Sequence, residues 1–112
     1  MQVVTVADGD RHSAGAGVDL VQLLAGERMN VQYYEFEPGS GVEEHEHPNE
    51  QLGFVHEGTL TLIADGEERD VEAGSAFSIP GGVPHSAENH GETTVRGIDV
   101  FSPPRDQTPW DE

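Results

Sequence analysis

Glycine and proline cut this chain into short pieces: fourteen Gly and seven Pro fall among its 112 residues. Between them apolar and polar side chains alternate with period two, the signature of half-buried strands. The pattern predicts strands over residues 3–6, 18–24, 29–36, 51–56, 59–64, 67–71, 75–79 and 94–101. In 29–36, Met29, Val31 and Tyr33 face one side and Tyr34 and Phe36 the other, so both faces carry bulk. Asp65-Gly66 supplies the positive-φ pair that a tight hairpin needs between 59–64 and 67–71. The one segment open to a helical reading, 18–25, is short and bounded by Gly17 and Gly26, and is read as a strand. Short strands at this spacing predict an all-β sandwich or barrel and exclude β-α-β units. The length fits a single domain over 1–112, with Pro103-Pro104 ending the last strand and 106–112 as a loose tail.

Charge limits the partners. Twenty-two Asp and Glu stand against five basic residues, a formal net charge of −17; all five are Arg, and Lys is absent. Nucleic acid and anionic membrane surfaces both call for a basic footprint, so neither is expected as a partner. The acids are spread along the chain in runs of at most two, which distinguishes a solvated acidic surface from an acidic tail. At molar salt the Debye length falls to about 3 Å and such self-repulsion is screened, which predicts a halophilic source. No stretch approaches a membrane span and residues 1–7 lack the features of a secretion signal, so a cytoplasmic location is expected. Without cysteine, disulfides, thiolate metal sites and Cys nucleophiles are excluded, and any site chemistry uses N and O donors.

Three of the six histidines have metal-site spacing. His45 and His47 are two apart, so on an extended strand both rings point to one face. Gln51 continues that parity and Glu50 opposes it, which disfavours Glu50 as a substitute ligand. His85 follows the stiff turn Pro80-Gly81-Gly82-Val83-Pro84, able to bring a second strand across the first. His12, His56 and His90 read as plain strand or surface residues.

These residues resemble the cupin family. The first cupin motif, G-x5-H-x-H-x3,4-E/Q-x6-G, is met by Gly39, His45, His47, Gln51 and Gly58 (39–58), and the second, G-x5-P-x-G-x2-H-x3-N, by Gly74, Pro80, Gly82, His85 and Asn89 (74–89). The resemblance implies an antiparallel jelly-roll barrel in which His45, His47, Gln51 and His85 bind one divalent transition metal. Imidazole and amide donors suit Ni, Zn, Mn, Fe, Co or Cu without choosing among them. Many oxygen-using cupins carry Glu where Gln51 stands. A neutral donor set leaves the ion's charge uncompensated, which favours an anionic or chelating substrate and Lewis-acid chemistry.

The closing run Gly97-Ile98-Asp99-Val100-Phe101-Ser102-Pro103-Pro104-Arg105 is similar to the small KdgF-like cupins of pectin and uronate degradation, as is 47–53. That resemblance implies that Asp99, Phe101 and Arg105 line the pocket. The implied reaction converts a small anionic sugar-derived substrate, a 4,5-unsaturated monouronate from pectin or alginate breakdown, from its ring to its linear keto form. Arg105 would pair with the carboxylate, Asp99 would move the proton, and Phe101 would form the wall. The bland readings are a surface ion pair for Arg105, to Asp106 or another acid, and a packing role for Trp110. An oxygen-using cupin such as a dioxygenase, or a non-catalytic metal- or sugar-binding cupin, are the rival functions. The cupin resemblance also implies a homodimer, because the N-terminal strands have exposed edges that the family commonly buries between subunits.

Overall fold

The computed structural model describes residues 1–105, and its strands form two sheets in which every pairing is antiparallel. The strands are β1 (Asp10–Ser13), β2 (Val18–Ala25), β3 (Asn30–Phe36), β4 (Gly41–His45), β5 (Glu50–Glu57), β6 (Thr59–Ala64), β7 (Glu67–Glu72), β8 (Ala76–Ile79), β9 (His85–Glu88) and β10 (Val95–Ser102). One sheet runs β1-β2-β3-β10-β5-β8 and the other β4-β9-β6-β7. Sequence neighbours are repeatedly split between sheets, which is the winding of a jelly roll.

Alternation sorts the side chains as the sequence implies. Along β3, Asn30, Gln32, Tyr34 and Phe36 point inward and are buried; along β10, Val95, Gly97, Asp99 and Phe101 do so. The apolar core gathers Val18, Leu20, Tyr34, Phe36, Val55, Leu60, Leu62, Ile79 and Val95. Segment 18–25 is a strand, with a bulge between Gln22 and Leu24. The 59–64 and 67–71 hairpin closes through Asp65 at φ 51° and Gly66 at φ 77°, the left-handed pair that lets two residues reverse a twisted ladder.

The chain's beginning departs from expectation. Residues 3–6 form no strand: Val6–Asp8 is a single 3₁₀ turn, and Thr5 Oγ1 accepts a hydrogen bond from the Asp8 amide at its start. The first strand is the wholly polar β1, which pairs with β2 as the sheet edge and so needs no apolar alternation. β4 and β9 also go unmarked in the sequence, since acidic and small residues break their alternation. Among the described residues no helix is long and apolar enough to cross a membrane. The tail 106–112, with Asp106 and Trp110, lies outside the described residues.

Candidate metal centre and pocket

β4 ends at His45 and β9 begins at His85, and the two are paired across the ladder. His47 lies beyond the end of β4, in the connection to β5, so the expected shared strand for His45 and His47 is not formed. Their rings converge all the same, because the connection folds back. Gly82 N–H donates to His47 C=O at 2.8 Å, tying the 80–84 turn to the His47 segment. Gly81 permits that approach, since a Cβ there would lie 2.2 Å from the Pro48 carbonyl oxygen. Ring centroids of His45 and His85 are 4.4 Å apart, and those of His47 and His85 5.0 Å.

The protonation of these rings follows from their neighbours. Nδ1 of His45 faces the Glu43 carbonyl at 2.8 Å, Nδ1 of His47 the Asn49 carbonyl at 3.0 Å, and Nδ1 of His85 the Val83 carbonyl at 2.8 Å. A carbonyl only accepts, so each Nδ1 carries a hydrogen and Nε2 is left as the ligating atom; for His47 and His85 that atom is turned into the site. Burial lowers the pKa of His47 to about 4, with the Arg105 and His85 charges adding to the effect. Burial likewise lowers that of His85. Neutral rings are the form that binds metal.

Gln51, inward on β5, has its Oε1 3.2 Å from His47 Nε2 while its amide nitrogen donates to Asp99 Oδ1 at 3.0 Å. Two acceptors therefore face each other. Among the described buried side-chain atoms, His85 Nε2 is the one left with no hydrogen-bond partner. One ligand atom from each of the three histidines lies within 4.8 Å of the others. An orphaned lone pair, two opposed acceptors and three fixed tautomers all call for a cation, and this N/O donor set fits a divalent transition metal. Glu50 is exposed, on the outer face, as its parity requires.

Asp99 and Phe101 share the inner face of β10 with this cluster. Asp99 is buried, and burial pushes its carboxyl up to about 6 against the opposing pull of the Gln51 and Gln32 amides and the Arg105 charge. Phe101 meets the His47 ring edge-on at 5.4 Å, and the Arg105 guanidinium lies over the Phe101 ring, 5.3 Å from its centroid. Arg105 lines the same cavity as His45, Gln51, His85 and Asp99. All seven expected site residues are thus brought together. His12 and His90 sit at the surface beside Asp10 and Glu88, and His56 is exposed, all outside the cluster.

Three buried amides belong to the site without being singled out by motif. Gln32 donates to Asp99 Oδ2 at 3.2 Å; Asn49 donates to the Pro103 carbonyl at 2.7 Å; Asn30 Oδ1 accepts from the Arg105 amide at 2.7 Å. The last two moor the segment that carries Arg105. Inward parity with Tyr34 and Phe36 is the signal that could have found Asn30 and Gln32.

Comparison with known proteins follows the same lines. The family model described as "Cupin domain" matches residues 32–101. Among solved structures, KdgF from Halomonas sp. superposes with a TM-score of 0.85 at 25% identity, covering 95% of this chain and 96% of that one. An RmlC-like cupin from Shewanella frigidimarina gives the same TM-score and identity, over 95% and 94% of the two chains. The HTH-type transcriptional regulator PuuR of Escherichia coli is 30% identical over 93 residues, 81% of this chain and 50% of that protein. The chain spans about half the length of the first curated relatives it matches.

Proposed function

Because the chain belongs to the cupin family, matched over residues 32–101, we propose that it is a metal-dependent enzyme converting 4,5-unsaturated monouronates to the linear keto form. The observation that carries this reading is Asp99, a buried carboxylate beside the histidine cluster and Arg105 whose pKa is pushed up to about 6. Likeness to KdgF from Halomonas sp. over nearly the full length supports it.

A divalent metal held by His45, His47, His85 and Gln51 would supply Lewis-acid polarisation of a substrate oxygen. The remaining work falls to side chains. Arg105, whose guanidinium lies over the Phe101 ring, pairs with the substrate carboxylate. Asp99 accepts the proton of the ring hydroxyl; the hydroxyl oxygen becomes a carbonyl as the ring C–O bond breaks. The pair from that bond stays on the ring oxygen as an enolate; this oxygen becomes the keto group as the alkene carbon takes the same proton back, so the product is an isomer of the substrate. A carboxyl with a pKa near 6 holds and releases a proton with little bias near neutrality, as a shuttle must. The interior offers about 60 Å³, well under the roughly 300–1,000 Å³ of pockets that enclose a ligand. The sugar ring therefore lies across the barrel mouth, against Phe101 and Arg105, with its ring hydroxyl directed inward to Asp99, which lines the same cavity. A homodimer joined through the β1 edge completes the proposal.

The test mixes metal-loaded protein with freshly released unsaturated galacturonate and follows the decay of alkene absorbance. Wild type is expected to outpace the spontaneous reaction, while His47→Ala and Asp99→Ala fall at least about 10²-fold below it. Equal rates for wild type and either variant would refute the assignment. A second reading, a non-catalytic ligand sensor, is favoured by the identity to the regulator PuuR; it predicts that the sugar acid binds without absorbance loss. An oxygen-using activity would instead register as oxygen uptake.

A further inference from the structure

The inner face of the six-stranded sheet carries a continuous line of amides that ends at the candidate metal centre. Gln22, Gln32 and Asp99 stand directly opposite one another on β2, β3 and β10. Gln22 Nε2 donates to Gln32 Oε1 at 2.7 Å, Gln32 Nε2 donates to Asp99 Oδ2 at 3.2 Å, and Gln51 Nε2 donates to Asp99 Oδ1 at 3.0 Å. Gln32, Gln51 and Asp99 are buried, and Gln22 is half-buried at the outer end.

This line has a direction. A side-chain amide can present either its oxygen or its nitrogen to a neighbour, and the partner decides which. An Asp99 carboxylate accepts only, so it draws the nitrogen of Gln51 toward itself and thereby turns Gln51 Oε1 toward His47 Nε2. The same carboxylate draws the nitrogen of Gln32, whose oxygen is then left to accept from Gln22. Carboxylate rotation would carry both oxygens off their donors at once. Gln32 opposes that rotation, since it holds the oxygen that Gln51 does not.

We propose that Gln32 is a positioning residue: by clamping Asp99 Oδ2 it fixes the carboxylate that aims the Gln51 amide oxygen at the histidine cluster. The inference rests on the reading that His45, His47, His85 and Gln51 hold a metal, and does not depend on the sugar substrate. Gln32 lines the same cavity, but its side-chain hydrogen bonds run to Gln22 and Asp99 and not to the histidines or Gln51. Its influence passes through Asp99 alone.

The experiment titrates apo protein with cobalt(II), reading the visible absorption of the bound ion and its affinity by chelator competition. Gln32→Met keeps the side chain's length and apolar stem but removes both hydrogen bonds. Gln32→Glu keeps the acceptor for Gln22 and sets a carboxylate against Asp99. Both are expected to weaken cobalt binding by about 10-fold, the lower end of the loss when an outer hydrogen-bond partner of a ligand is removed, and to change the absorption bands. In an Asp99→Ala background the Gln32→Met effect should vanish, which a purely structural role for Gln32 would not produce. Folded Gln32→Met or Gln32→Glu protein with wild-type affinity and spectrum overturns the proposal, and so does a wild type that binds no cobalt. If Gln32→Met fails to fold, Gln32→Glu decides alone; if neither folds, a wild-type spectrum and affinity in cobalt-loaded Asp99→Ala overturns it. Altered cobalt spectra alongside absent sugar turnover in wild type would sink the uronate reading and leave this inference standing.

Discussion

The two ends of the barrel interior are built from the same strands and have opposite chemistry. β3 contributes Asn30 and Gln32 to one end and Tyr34 and Phe36 to the other; β10 contributes Asp99 and Phe101 to the first and Val95 to the second; β5 divides likewise between Gln51 and Val55. At the apolar end Tyr34 and Phe36 meet edge to face at 5.7 Å, packed against Val18, Leu20 and Val95. At the polar end buried amides, imidazoles and a carboxylate exclude that packing and leave His85 Nε2 unsatisfied. Stability is concentrated at one end and chemical potential at the other, as expected where a site keeps groups that folding alone would not choose.

A matched pair of truncations breaks this comparison most forcefully. Phe36→Ala removes a buried ring from the apolar end and should cost about 3–5 kcal/mol, lowering the melting temperature by upwards of about 10 °C. His85→Ala should leave apo-protein stability within about 1.5 kcal/mol, because the lost ring made a single hydrogen bond, to Val83, and stranded its other nitrogen. Metal affinity should reverse the order, falling by more than about 100-fold in His85→Ala, beyond what loss of an outer hydrogen-bond partner costs. Thermal melts and chelator competition on both variants decide the matter. Equal destabilisation would mean that the polar end carries the fold too.

Gly81 sits where the ends cannot be separated. A methyl group there would press on the Pro48 carbonyl oxygen at 2.2 Å, and a backbone atom has little room to yield. Gly81→Ala should therefore cost about 1–3 kcal/mol through displacement of the 80–84 turn. It should also weaken metal binding, because the same turn donates Gly82 N–H to His47 and leads into His85. Loss in one readout alone would show that the turn and the histidines move independently.

Legibility in the sequence divides along the same line. Spacing makes His45, His47, Gln51 and His85 visible because a metal demands donor types at set intervals, and Asp99, Phe101 and Arg105 stand out on a closing strand. The expected sharing of one strand by His45 and His47 failed: convergence here comes from the connection and the Gly82 tie, which parity does not report. β1, β4 and β9 were hidden because edge pairing and site residues both erase apolar alternation, whereas Thr5 capped a turn where Val3, Val4 and Val6 suggested a strand. Asn30, Gln32 and Asn49 look like surface residues until their buried partners are known.

Charge acts outside both ends and gives the smallest and most general effect. With a formal net charge of −17, self-repulsion opposes compaction at low ionic strength, and at molar KCl its range contracts to about 3 Å. Melting temperature should therefore rise with KCl by similar amounts in wild type, Phe36→Ala and His85→Ala, leaving the difference between the ends unchanged. An anionic substrate sharpens the point. It is drawn to Arg105 over a few ångströms but repelled by the rest of the surface over longer range, so salt should screen the repulsion first and lower KM, the reverse of an enzyme whose whole surface attracts its substrate. A KM that climbs with KCl while the melting temperature also climbs would mean that Arg105 and the centre beside it dominate the field at every distance, and that the acidic surface matters to folding alone.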